Sequence, residues 1–185
     1  NSKNEELREN AMWCFANISG EPNLEFRDII IENKVLDFVV RDLGTTPKTI
    51  SYYRTATWLM SNSVRGDSAR GDPYPPFEKI EDCFGQLTHL IMYKDEGIQT
   101  NSLQCLIFLT EEGLETHLKK MQTKGIIPKV LSLLSHQDEK VVFNAVKVVG
   151  NLARTSKSLS LSENEVFKAM PDILKSKNPN LRREA

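Results

Sequence analysis

Arg54-Thr55-Ala56-Thr57-Trp58-Leu59-Met60-Ser61-Asn62 is the stretch that decides the fold. On a helix Trp58 and Asn62 stand at i and i+4, so one face carries a broad aromatic surface beside an amide. The Trp face can pack on an aliphatic or cationic side-chain stem. The amide, with one acceptor and two donors, can bond the N–H and C=O of an extended peptide that lacks a strand partner. The same pair occurs earlier in Glu9-Asn10-Ala11-Met12-Trp13-Cys14-Phe15-Ala16-Asn17, and both Trp13 to Trp58 and Asn17 to Asn62 span 45 residues. A period of that size is the mark of a stacked helical solenoid.

The totals agree with that reading. A chain of 185 residues holds about four repeats of roughly 40 to 47 residues of the armadillo or HEAT type. Composition is that of a soluble globular protein, 39% apolar and 26% charged. With 24 basic against 25 acidic residues, the net charge of -1 gives no overall pull toward nucleic acid or membrane, so any electrostatic role is local. Cys14, Cys83 and Cys105 are odd in number and have no metal-ligand spacing, which favours a reduced, intracellular compartment over a disulfide framework or zinc site. His89, His117 and His136 are equally scattered. There is no signal peptide and no apolar run long enough to span a membrane. The chain starts without Met and stops at Arg182-Arg183-Glu184-Ala185 in what reads as the opening of a helix, as a piece of a longer protein would.

In chain order, Leu7, Ala11, Cys14, Phe15 and Ile18 give a 3, 4 and 7 spacing that predicts an amphipathic helix over 5–18 with that stripe as its core face. Helical runs follow in Leu24 to Glu32 and Val35 to Leu43, and Pro47 is expected to open the long helix that holds Trp58 and Asn62. The Gly, Asp and Pro of residues 64–76 read as a loop. It contains Arg65-Gly66-Asp67 and Arg70-Gly71-Asp72, triplets that can serve adhesion, although the cysteine usage argues against the cell surface. A middle helix over 81–92 and a long helix from Glu96 to Leu109 come next, then Leu114 to Thr123, Gly125 to Leu134 and a long helix from Asp138 to Arg154. In that last helix Val142, Ala145, Val146, Val149 and Leu152 form the core stripe, while Lys147 and Asn151 take the positions held earlier by Trp and Asn. Thr155 to Ser162 reads as a loop, Glu163 to Leu174 as a helix, and Asn178-Pro179-Asn180-Leu181 as the start of another. Repeats thus end near 20, 64, 111 and 155, with a partial repeat over 156–185 in a single domain of 1–185.

The runs WCFANISGEPNLEFRDIII, YYRTATWLMSNSVRGD and VVFNAVKVVGNLART resemble consecutive armadillo repeats of the importin-alpha family, from the third repeat to the start of the seventh. The resemblance implies an all-α, right-handed armadillo superhelix with three helices per repeat. It implies a concave groove lined by the third helices, where Trp-x-x-x-Asn pairs bind a Lys/Arg-rich nuclear localisation signal running antiparallel to the repeats. Carried over, Trp13 and Asn17 match the third-repeat pair, Trp58 and Asn62 the fourth, and Glu21 an acid that follows the third pair. Lys147 and Asn151 match the sixth repeat, where a basic residue interrupts the Trp ladder and separates two sites. The chain departs from the pattern at Gln104 and Phe108, in place of Trp and Tyr, and at Gly97 and Asn101, in place of acids. Fewer carboxylates facing a cationic peptide mean weaker attraction.

Two functions follow. One is a nuclear import adaptor, present in cytoplasm and nucleus, that takes basic signal peptides directly and importin-beta through an N-terminal segment outside this chain. The other is an importin-alpha-like scaffold with a decayed peptide site, held inside a larger assembly. No nucleophile and base pair, metal cluster or phosphate loop can be assembled, so neither an enzyme nor a cofactor is expected.

Overall fold

The computed structural model describes residues 2–67, 70–111, 115–155 and 163–184. Helix α1 (Glu5–Gly20) stands alone and is followed by triplets in the order short, middle, long. The first is α2 (Leu24–Glu32), α3 (Val35–Leu43) and α4 (Ile50–Val64). The second is α5 (Phe77–Ile80), α6 (Cys83–Leu90) and α7 (Glu96–Glu111). The third is α8 (Glu115–Thr123), α9 (Ile126–Ser132), extended by a 3-10 turn at Leu133–Ser135, and α10 (Glu139–Thr155). Helices α11 (Glu163–Leu174) and α12 (Pro179–Glu184) close the described chain. Of the loop expected from Thr155 to Ser162, residues 156–162 lie outside the described residues and Thr155 is the last residue of α10; the long helices end at Gly20, Val64, Glu111 and Thr155.

The long helices form one row, α1 against α4, α4 against α7 and α7 against α10, with the shorter helices behind. One continuous core runs through them, from Met12 and Ala16 through Tyr52, Ala56, Leu59 and Met60 to Leu103, Leu106, Val141, Ala145 and Val148. The α10 stripe Val142, Ala145, Val146, Val149 and Leu152 is buried as its spacing predicts. No described helix is long and apolar enough to cross a membrane.

Three local expectations are corrected. The stripe expected to be the core face of α1 is not: Leu7 is 57% and Ile18 41% exposed, Ala11 and Cys14 are exposed, and burial falls instead on Met12, Ala16 and Ser19. The positions 45 residues on, namely Tyr52, Ala56, Leu59, Met60 and Ser63, are all 0% exposed. The reason is positional: α4 has a long helix on both sides, whereas no described helix covers that side of α1. Pro47 does not open α4, because the Thr49 side chain accepts a hydrogen bond from the Tyr52 N–H (3.2 Å) and fixes the start at Ile50. A short helix at Phe77–Ile80 precedes α6, so the middle helix begins at Cys83 and not at 81.

Two polar devices brace the N-terminal half. Arg8 of α1, Lys48 and the Tyr52 hydroxyl of α4 converge on Asp42 at the end of α3, with Arg8 Nε at 3.3 Å and Lys48 Nζ at 3.4 Å. Burial alone would raise the Asp42 pKa, but the Tyr52 hydroxyl, Lys48 and Arg8 outweigh it and hold the carboxyl below its usual range. Burial, reinforced by Asp42, pushes the Tyr52 hydroxyl up to about 12. The second device is Arg27, only 1% exposed, which pairs with Asp28 and donates to the carbonyls of Arg65 and Pro73 (2.8 Å for Pro73). It pins both ends of the loop after α4, and Asp67 and Asp72 bridge backbone to backbone within that loop. A buried guanidinium needs several oxygen partners, and this one has them.

Both turns into α3 and α9 use the left-handed region, through Lys34 (φ 56°) and Gly125 (φ 64°). Glycine takes that conformation at no steric cost, whereas lysine is strained in it.

Candidate peptide groove

Each long helix opens on a capping side chain. Asn4 accepts from Leu7 N–H (3.2 Å), Thr49 from Tyr52 (3.2 Å), Asp95 from Ile98 (3.1 Å) and Asp138 from Val141 (3.3 Å). These caps set a common zero for the row. Trp13, Trp58, Gln104 and Lys147 each lie nine residues after their cap, and Asn17, Asn62, Phe108 and Asn151 each thirteen. At a rise of about 1.5 Å per residue the two sets stand at two levels, one turn apart.

Trp13 is 57% exposed, an aromatic surface open to a ligand, and Trp58 is half-buried against the core. Asn62 donates through Nδ2 to the Ala16 carbonyl of the preceding long helix (2.8 Å). That bond orients the amide and, among the described residues, leaves Oδ1 without a donor, so an acceptor and a second N–H remain for a ligand. Gly20 makes room for this: a Cβ there would lie 2.9 Å from Asn62 Nδ2. No described helix precedes α1, and Asn17 bonds its own Trp13 carbonyl (2.8 Å). Glu21 is exposed and its carbonyl accepts from Arg65, whose pKa burial and the nearby Arg27 lower against the opposing charges of Asp72 and Glu21.

The next two helices differ. On α7 Gln104 and Phe108 are half-buried. Asn101 donates toward the Arg54 carbonyl and Thr57 hydroxyl (3.4 Å each), so it serves the helix contact. Gly97 faces Arg54, whose Nε would sit 3.5 Å from a Cβ there. Arg54 itself forms a two-pronged ion pair with Asp95, at 3.0 and 2.6 Å. The sequence reading did not find this pair, although Arg54 stands one turn before Trp58 and so beside it. On α10 Lys147 lies over the Phe143 ring, 4.9 Å from its centroid. Asn151 donates to the Ile107 carbonyl (3.3 Å) and Thr110 hydroxyl (3.2 Å) and accepts from Arg154 (2.9 Å). The loop carrying the Arg-Gly-Asp triplets reaches the edge of this face. Arg65, Asp67, Arg70, Asp72 and Phe108 line a cavity of about 210 Å³, while residues 68 and 69 lie outside the described residues.

A family profile for the armadillo/beta-catenin-like repeat matches residues 121–154. Importin subunit alpha-1b of Oryza sativa subsp. japonica is 30% identical over 151 residues, 82% of this chain and 27% of that protein. Importin subunit alpha-2 of Arabidopsis thaliana is 29% identical over 136 residues, 74% of this chain and 24% of that protein. These are importin-alpha-like armadillo repeats.

The importin-alpha-like chain spans about a quarter of the length of the curated relatives it matches. Solved structures carry the same all-α armadillo solenoid. A designed armadillo repeat protein in complex with the peptide (KR)4 superposes with a TM-score of 0.83 at 20% identity, covering 99% of this chain and 74% of that one. A computationally designed armadillo protein for modular peptide recognition gives 0.85 at 21%, covering 100% and 75%. At those identities the likeness concerns the fold.

Proposed function

We propose that the importin-alpha-like repeats form a nuclear import adaptor whose concave groove binds lysine/arginine-rich signal peptides. The observation that carries this reading is Trp58 above an Asn62 amide already oriented by the neighbouring helix with acceptor capacity to spare. Trp13 and Asn17 repeat the pair one step earlier, at the same distances from their cap. The Trp faces take lysine stems, and the Asn amides hold a peptide backbone that has no strand to pair with. Glu21 supplies negative charge at the same end, and Lys147 with Asn151 marks where the row stops accepting lysines. Such an adaptor acts in cytoplasm and nucleus, recruits importin-beta through a segment outside this chain, and performs no catalysis.

The altered α7 favours a second reading, an importin-alpha-like scaffold within a larger assembly that has lost peptide binding. Gln104, Phe108 and the Arg54–Asp95 pair replace the aromatic and acidic features of that repeat. Fluorescence anisotropy of a labelled Lys-Lys-Lys-Arg-Lys peptide, at two salt concentrations and beside a Trp58→Ala/Asn62→Ala variant, separates the two. The adaptor requires micromolar or tighter binding that weakens with salt and vanishes in the variant. A folded protein that binds nothing points to the scaffold.

A further inference from the structure

Between α7 and α10, at the level of Gln104, lies an open cavity of about 330 Å³ whose charged neighbours are already satisfied within the chain. Lys140 on its border is held by Glu96 at 2.8 Å. Glu139 accepts from the Ser176 hydroxyl (2.9 Å) and from Asn178 (3.4 Å). The remaining lining is neutral: Thr100, Gln104, Phe143, Asn144 and Asn180. Asn144 is only 7% exposed and gives Nδ2 to the Thr100 carbonyl (3.4 Å). Among the described residues its Oδ1 accepts no bond, and the side-chain amides of Gln104 and Asn180 make none. Phe143 supplies the aromatic wall. The Lys147 ammonium rests on that ring but does not line the cavity.

This lining selects by chemistry. A lysine entering here would meet no unengaged carboxylate, and an ammonium buried without a counter-charge is costly. A purely apolar side chain would cover the amides and leave them unsatisfied. A flat ring with one hydroxyl meets both demands. The ring packs beside Phe143 in an offset or edge-on arrangement, and the hydroxyl donates to Asn144 Oδ1 and accepts from the Gln104 amide.

Resting on the peptide-groove reading above, we propose that this cavity is a subsite for one uncharged aromatic residue of the bound peptide, a tyrosine, beside its basic cluster. Gln104, Phe143 and Asn144 then set specificity. The row takes lysines at Trp13 and Trp58 and a phenol at the joint of α7 and α10. Spacing follows from packing. Neighbouring helices lie about 8–10 Å apart, so the one and a half steps from Trp58 to the cavity cover roughly 14 Å, which an extended peptide crosses in about four residues.

The test uses labelled peptides that carry the basic core and a Gly-Ser extension on one side or the other. One position, scanned around about four residues from the core, is Tyr, Phe, Gln, Lys or Ala. At one such position Tyr should tighten binding to the wild type about threefold to tenfold over Ala, the span expected for an aromatic pair, with Phe, Gln and Lys falling short of it. Affinities are read as ratios within each variant, so that any change in binding of the core cancels. Gln104→Leu should bring the Tyr-to-Phe ratio to one. Phe143→Leu should bring the Tyr-to-Ala ratio close to one, with melting temperatures confirming that both variants are folded. A preference for Lys or Gln over Tyr at every position overturns the proposal. So does a Tyr-to-Phe ratio that Gln104→Leu does not move, or a Tyr-to-Ala ratio that Phe143→Leu does not move. If the core binds and all ratios stay at one, only this proposal falls; if no peptide binds any variant, the groove reading falls and this one with it.

Discussion

Helices α1 and α4 and helices α7 and α10 share one architecture and one register of caps, yet they present different chemistry. The first pair offers two Trp faces and two amides, both with the acceptor unengaged among the described residues. On the second pair Gln104, Phe108 and Lys147 replace the Trp and Asn of the first: Asn151 is bonded to α7 and also accepts from Arg154, and Lys147 rests on the Phe143 ring of its own helix. The internal bracing differs as well: the α1–α4 side is tied by the largely buried Asp42 cluster, while α7 and α10 meet through Leu103, Leu106, Val141, Ala145 and Val148 and are joined by the more exposed Lys140–Glu96 pair. A solenoid can thus keep its spacing while each repeat is altered separately, because each contacts only its neighbours.

The largest effect should come from breaking the bracing. Asp42→Ala leaves Lys48, whose side chain is 2% exposed, without its counter-charge and should cost about 3 kcal/mol in urea unfolding. The pH dependence has a definite sign. Asp42 is depressed in the fold, so its contribution is present above about pH 4 and is lost as pH falls through the folded value. Tyr52 is raised to about 12, so its contribution is complete below about pH 10 and is lost as pH climbs from there. Urea midpoints across both limbs should be flatter in Asp42→Ala, and parallel profiles would rule the cluster out as their origin.

Next comes the contrast within the groove. Trp58→Ala should weaken binding of a basic peptide by roughly 2 kcal/mol, whereas Gln104→Ala, at the same level of the row, should change it by less than about 0.5 kcal/mol. Equal losses at the two positions would erase the distinction between the halves. The smaller effect lies in the two left-handed turns. Lys34→Gly should stabilise by about 1 kcal/mol and Gly125→Ala should destabilise by a similar amount, since nothing lies within 4 Å of a Cβ at Gly125 and only backbone strain is at stake. Thermal melts of the two variants shifting in the same direction would contradict that account.

The thiols give a last, chemical measure. Exposed Cys14 should react with a thiol reagent in the native state. Buried Cys83, with burial pushing it up to about 12, and Cys105, raised likewise, should react only on unfolding.

Much of this was legible in the sequence because a repeat restates itself. The 45-residue spacing of Trp13 and Trp58 gave the period, and the boundaries of α2 and α3 emerge as read because Asn23 caps the start of the one and Gly44 follows the end of the other; those of α11 also emerge as read. What escaped depends on neighbours in space. The apolar stripe of α1 has the right periodicity for a core face, but periodicity cannot say whether a second helix is there to cover it. Phe143 sat in plain view one turn before Lys147, yet its role depends on a rotamer that places an ammonium on its ring. Arg54 reads as a solvated cation until Asp95, 41 residues on, is seen to hold it.

The amides that bridge the row have a mechanical side. Asn62 is aimed by a carbonyl of α1, Asn101 by one of α4 and Asn151 by one of α7, so each takes its bearing from the joint that it spans. Flexing such a joint lengthens the bond and turns the amide. A ligand that fixes the amide must, by reciprocity, stiffen the joint. Curvature and affinity are then conjugate quantities, as extension and load are in a spring. If the proposed groove holds a peptide, tension applied to the ends of the solenoid loosens that hold and a seated peptide raises the spring constant.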